Sequence, residues 1–245
     1  MDPYAILQGL CRQTTPVRRV QLGLNWTSVE VEGSGLCFSP LDVPRTLSWP
    51  GTLVGRPACE LATWLDHWNM AEAVIGQATV NALINHRNPL LADAQPLQSD
   101  APPHLRVFQH FRSQVKDKKV VVIGRYPFLD QLWADVNYQC VERRPQAGDL
   151  PDAAAEKILP DADWVFITAS SLANKTLPRL LDLAWGREVV LMGPSLPWIE
   201  QWRDFGVTHL AGVAVRDESA LSQVVAEGGG TRLFADAVAY HLLSL

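Results

Sequence analysis

The run TASSLANKT, residues 168–176, sets Thr168, Ser170, Ser171, Asn174, Lys175 and Thr176 directly after ADWVFI, which has the pattern of a strand buried on both faces. Hydroxyl and amide side chains so placed either hydrogen-bond a small ligand or form a solvated turn. A serine nucleophile needs a base in reach and usually a strained G-x-S-x-G elbow; no such elbow is present, and no histidine lies near these serines in sequence. Thr176 also stands where a helix N-cap belongs, ahead of LPRLLDLAW.

Two further loops follow short apolar strands. GRYPFLD offers Gly124, Arg125, Pro127 and Phe128, and GPSLPW offers Gly193, Pro194 and Ser195. Each loop leads into a predicted helix, whose first N–H groups are unpaired and partly positive, so an anionic or carbonyl-bearing ligand is the expected guest. Gly124 stands without the partners of a G-x-G-x-x-G turn, which argues against a dinucleotide. Glu142 closes the strand YQCVE, where an acid can hold a ribose; beside Arg143 and Arg144 it reads more simply as a salt-bridged strand end. Asn69, Glu72 and Asn81, polar among small residues, are candidate ligand contacts, or exposed helix positions or caps.

The elements that must position these residues fall into two halves. Alternation at Val20, Leu22, Leu24 and Trp26, then at Val29 and Val31, predicts a small antiparallel sheet, followed by helices over ACELATWLDHWN and MAEAVIGQATVNALIN. Ala and Gly in the second helix let other backbone pack closely. Trp64 with Trp68, and Trp198 with Trp202, are spaced as core ridges, the latter pair alternatively as an oligomer face. After the proline-rich NPLLADAQPLQSDAPP, five short apolar strands alternate with helices and a closing helix is expected over FADAVAYHLL. This is a doubly wound parallel α/β sheet. The expected organisation is a small α+β domain over 1–90, a linker over 91–106 and a Rossmann-like domain over 107–245. With strand order 2-1-3-4-5, the loops at Gly124 and Thr168 meet at the switch point and the loop at Gly193 forms the far wall.

Composition narrows the partners. A net charge of −5 with interspersed signs gives no basic face for nucleic acid. No apolar run reaches the roughly 18 residues of a membrane helix, and MDPYAILQGL lacks the pattern of a secretory signal, so a cytoplasmic protein is expected. Cys11, Cys37, Cys59 and Cys140 form no C-x-x-C pair and the six histidines no H-x-x-x-H, which disfavours a metal cage made by the protein alone.

The segments VVVIGRYPFL, VERRPQAGDLPD, LPDADWVFITASSLANKT, MGPSLPW, GVTHLAGVAV and AEGGG resemble the heavy-metal-chelation domain family, a Rossmann-like domain. GLNWTSVEV, GLCFSP and NMAEAVIGQATVNALIN look like the enolase-N-terminal-like domain that accompanies it. The resemblance runs from about Val17 to Phe234. It implies an interdomain cleft with a role in heavy-metal chelation or chelator metabolism. It also marks Lys175 as standing where the family pattern has glycine, and Arg125 and Tyr126 as this chain's variation. The resulting expectation is a protein that binds or processes a small metal-chelating or metal-bound molecule, the chelator rather than the protein carrying a heavy or transition metal. The alternatives are an enzyme using a nucleotide-type cofactor such as S-adenosylmethionine, or a non-catalytic homo-oligomeric sensor.

Overall fold

The structure, a computed structural model, describes residues 1–39, 46–230, 234 and 237–245; Pro40 of GLCFSP and residues 235–236 of the expected closing helix lie outside them. Helix α1 (Pro3–Leu10) is capped by Asp2, whose carboxylate accepts from Tyr4 N at 3.0 Å. An antiparallel meander follows, β1 (Arg19–Leu22), β2 (Trp26–Glu30) and β3 (Ser34–Phe38). Helices α2 (Ala58–Ala62) and α3 (Met70–Ile84) pack behind it. Eleven of the fifteen α3 residues are buried, so this helix is a core element covered on all sides rather than a surface helix with one apolar stripe.

The stretch read as a linker carries α4 (Leu90–Asp93) and a two-residue strand, β4 (Gln95–Pro96). Next come α5 (Arg106–Val115), β5 (Val120–Ile123), α6 (Leu129–Leu132), β6 (Tyr138–Glu142), β7 (Leu150–Pro151), α7 (Ala155–Ile158), β8 (Trp164–Thr168), α8 (Leu177–Leu183), β9 (Glu188–Met192), β10 (His209–Val215), α9 (Glu218–Ala226) and β11 (Val238–Ser244). The sheet order is β4-β11-β10-β9-β8-β5-β6-β7. Its five central parallel strands have the expected 2-1-3-4-5 order, extended by β7 on one side and by antiparallel β11 and β4 on the other.

Strand alternation divides the interior. Val121, Ile123, Val165, Ile167, Val189 and Leu191 join one core with residues of α1, α7 and α8. Val120, Val122, Trp164, Phe166, Val190 and Met192 join the other with α5, α6 and the meander residues Trp26 and Leu36.

Three expectations need correction. The segment read as a closing helix is strand β11, where Val238, Tyr240 and Leu242 are buried and Ala239, His241 and Leu243 are not: a period of two that pairs with β10. Trp64 is buried but Trp68 is 85% exposed, because the chain turns extended at His67 and ends the helical register they were to share. WIEQWRDFG forms only a 3-10 stretch, Glu200–Phe205. Trp198 and Trp202 are both buried, their indole N–H groups donating to Val213 O at 3.3 Å and Pro197 O at 2.9 Å, so this pair is core and not an oligomer face. No helix among the described residues is long and apolar enough to cross a membrane.

Burial pushes His110, His209 and His241 below the ordinary imidazole value of 6.5. The fold therefore holds them neutral where the unfolded chain already protonates, so their stability is present above about pH 6.5 and is lost as pH falls from there through the lower folded values. A thermal midpoint lower at pH 5.5 than at pH 7.5 is expected, with no comparable change between pH 7 and 8.

Candidate functional site

An open crevice of about 1590 Å³ runs along the carboxyl ends of β5, β6, β8 and β9, with the meander residues Trp26 and Phe38 closing one side. Thirteen of the sequence-predicted residues line it: Gly124, Arg125, Pro127, Phe128, Glu142, Thr168, Ser170, Asn174, Lys175, Thr176, Gly193, Pro194 and Ser195. The switch point of the parallel order brings the Gly124 and Thr168 loops together, as such sheets do.

Gly124 sits at φ 99°, and a Cβ there would stand 3.1 Å from Thr168 Cγ2, so glycine lets the two loops touch. Its N–H donates to Val141 O. Glu142 fixes this turn: Oε2 accepts from Arg125 N at 2.9 Å and Oε1 from Arg144 N at 3.2 Å. The residue read as a salt-bridged strand end thus acts on backbone, while Arg143 lies 3.4 Å from Asp152. Arg125 Nη1 donates to both oxygens of the buried Asp149 carboxylate, at 2.7 and 2.8 Å, and Arg179 forks onto Glu156 through two nitrogens. Phe128, at φ 67°, stands half exposed on the rim.

In the opening loop, Thr168 Oγ1 and Ser170 Oγ are 3.0 Å apart, and Ser171 Oγ donates to Thr168 O. Asn174 Oδ1 accepts from both Thr176 N and Thr176 Oγ1, closing a side-chain turn. Thr176 therefore makes no side-chain cap on α8, contrary to expectation, because its hydroxyl is turned back to Asn174. Lys175 takes the left-handed conformation, φ 68°, which glycine adopts most readily. Its Nζ donates to Leu65 O and Ala173 O and lies 5.2 Å over the Tyr4 ring. Burial lowers its pKa, with Asp66 acting the other way. Lys175 turns the chain and ties the loop to the first half, its amine spent on carbonyls rather than presented to a ligand.

Ser195 is buried; Oγ accepts from Phe38 N at 3.0 Å, and its carbonyl accepts from Gln77 Nε2 at 2.7 Å and Asn81 Nδ2 at 2.9 Å. Asn81, expected at an exposed helix position, a cap or a ligand contact, is instead fully buried in an amide stripe whose other members the sequence reading passed over. Gln77, Asn81 and Asn85 recur every four residues along α3, and with Asn88 they bond the backbone of Ser195, Leu196 and Trp198. The signal was available as Q-x-x-x-N-x-x-x-N inside an otherwise small, apolar helix.

Asn69 and Glu72 do not reach the crevice. Asn69 caps α3, accepting from Ala71 N and Glu72 N, and Glu72 accepts from Trp49 Nε1 at 3.2 Å and meets His67 Nδ1 at 2.7 Å. The expected anion cradle of helix ends is also absent: α6 has four residues, α8 seven, and only a 3-10 stretch follows Gly193. Side chains, not helix ends, set the electrostatics here.

Among the described residues no group of three or more His, Cys, Asp or Glu side chains is placed to hold a metal ion. All four cysteines are free. Burial pushes the Cys11, Cys37 and Cys140 thiols up to about 12, so with no metal beside them they are neutral near pH 7.

Residues 106–244 match the DUF364 family and residues 4–84 the DUF4213 family, both described as "Putative heavy-metal chelation". An uncharacterized protein of Methanocaldococcus jannaschii is 29% identical over 168 residues, a stretch that takes in 64% of this chain but only 60% of that protein. A crystal structure of a DUF364 protein of unknown function from Desulfitobacterium hafniense DCB-2 is 29% identical with a TM-score of 0.83, covering 99% of this chain and 96% of its own. A second, from Pyrococcus horikoshii, is 20% identical with a TM-score of 0.80 over 99% and 98% of the two chains, which speaks for the fold alone. With more than half of its length matched by one family and the same architecture in the solved relatives, this chain belongs to the DUF364 family.

Proposed function

We propose that the crevice binds, or acts on, a small molecule that chelates or carries a heavy or transition metal, and that this molecule supplies the metal's donor atoms. The observation that carries the reading is a crevice of about 1590 Å³ without a protein metal-ligand cluster among the described residues, in a chain whose family description names heavy-metal chelation. Hard oxygens, imidazoles and thiolates would have to converge on a bare ion; here the carboxylates are turned to arginines and backbone, and no such group converges among the described residues. The space exceeds the roughly 300–1,000 Å³ of a typical small-ligand pocket. It therefore suits an organic ligand wrapped around a metal, with the Thr168 and Ser170 hydroxyls, and Arg143 at the β6 end, facing it. A nucleotide-type cofactor held through its ribose has less support, because both Glu142 oxygens already accept backbone N–H groups. Elemental analysis joined to mass spectrometry of the molecules released on denaturing the purified protein tests the proposal.

A further inference from the structure

Backbone strain among the described residues gathers at the crevice. Apart from glycine, positive φ occurs at Arg87, Lys175 and Phe128, and the last two line it. At Lys175 the bonds from its amine to two carbonyls, and its place over the Tyr4 ring, offset the strain. Phe128 departs from three local rules at once. A bulky side chain is an outlier at φ 67°. The residue holds the N-cap position of α6, where Ser, Thr, Asp, Asn or Gly is preferred, and makes no side-chain cap bond. Its ring is also 47% exposed. Glycine would suit the first two conditions better, so the fold alone gives little reason for phenylalanine here. A strained residue of this kind at the wall of a cleft points to function.

Among the described residues, the exposed large hydrophobic side chains that line the crevice are Phe128 and Phe38. Phe38, 39% exposed, stands on the side closed by the meander. Its N–H donates to Ser195 Oγ at 3.0 Å, and its ring packs edge-on against Trp26, with centroids 5.5 Å apart and planes at 82°. One ring is thus braced from behind by the first half of the chain, and the other is carried by the turn after β5. We infer that Phe128 and Phe38 are ring contacts for the crevice-bound molecule, which presents a planar aromatic ring to them and polar atoms to the Thr168 and Ser170 hydroxyls in the same crevice. Aromatic faces and edges attract other rings beyond what buried area alone gives. An acyclic polyacid would leave both phenylalanines in water. The inference rests on the proposed reading of the crevice but names a ligand class that reading leaves open: a ring-bearing chelator rather than an acyclic, carboxylate-rich one.

The experiment compares the wild type, Phe128→Gly, Phe128→Tyr and Phe38→Ala by titration calorimetry and thermal unfolding, with 1,10-phenanthroline as a planar chelating probe and citrate as an acyclic one. Phenanthroline binding to wild type, weakened roughly tenfold or more by Phe128→Gly and by Phe38→Ala but kept within about threefold by Phe128→Tyr, is the expected result, with citrate far weaker. No phenanthroline binding to wild type, or equal affinity in wild type and Phe128→Gly, overturns the ring contacts. Citrate binding that depends on Phe128 overturns the ring-bearing class. A probe-free readout stands beside these: Phe128→Gly puts at φ 67° a residue that adopts it freely, so the ligand-free midpoint should stay within about 3 °C of wild type. A larger loss means that the ring belongs to the core and overturns the inference. The two readings fail separately. A released metal chelate with phenanthroline affinity indifferent to Phe128 removes only the ring contacts, whereas Phe128-dependent phenanthroline binding with no metal or chelator released removes only the proposed function.

Discussion

Gln77→Ala is expected to lower the thermal midpoint by roughly 8–16 °C. The Gln77 amide is fully buried; its Nε2 donates to Ala169 O at 2.9 Å and Ser195 O at 2.7 Å, and its Oε1 accepts from Cys37 Sγ at 3.3 Å. Truncation removes one of two donors from Ala169 O, which keeps Leu172 N, and one from Ser195 O, which keeps Asn81 Nδ2, and leaves a cavity where the amide stood. Two lost buried hydrogen bonds cost about 1 kcal/mol each, and a large-to-small change in a core a further few. The sum, about 4 kcal/mol, converts at 2–4 °C per kcal/mol for a chain of this size. Calorimetric unfolding measures it. A loss below 2 °C would mean that the stripe on α3 is not what holds the Ser195 wall against the first half of the chain.

The second large effect comes from adding one methyl group. In Gly76→Ala the new Cβ would stand 2.0 Å from Leu65 N and 2.5 Å from Trp64 C, both backbone atoms in the 3-10 turn that crosses α3. Neither can swing aside as a side-chain tip can, so α3 must move away from the turn. Overpacking of this kind costs about 1–3 kcal/mol and more where backbone is the obstacle. That outweighs the roughly 1 kcal/mol by which Ala favours a helix over Gly. Gly9→Ala is the control: it also lies in a helix, α1, but nothing stands within 4 Å of its Cβ, so a gain of about 0.5–1 kcal/mol is expected. Opposite signs in urea titrations of the two variants would establish that close backbone approach, not helix propensity, sets the cost at Gly76.

Much of the second half was legible because parallel strands buried on both faces announce themselves: VVVI, WVFIT and VVLM need no partner to be recognised. The order of those strands, and with it the meeting of the Gly124 and Thr168 loops, followed from connection rules. The family resemblance, carried by the loops, holds across both halves. What stayed hidden depended on contacts distant in sequence. Val238–Ser244 reads as a helix until β10 offers it seven pairing positions. Asn69 and Glu72 look like any polar pair near a crevice, and only the placement of Trp49 and His67 shows what occupies them. The wall supplied by Trp26 and Phe38 could not be assigned, since nothing local says which sheet face meets the other half. Lys175 is the instructive case: the resemblance leads to an expectation of glycine at this position, but the carbonyl its amine answers belongs to Leu65, 110 positions earlier.

The most direct test of the central claim is elemental analysis and mass spectrometry of what the purified protein releases when denatured. The account predicts a heavy or transition metal and an organic chelator released together, near one of each per chain, with the metal lost when the chelator is dialysed away. Metal retained stoichiometrically with no organic molecule, or neither metal nor chelator from any preparation, would contradict it.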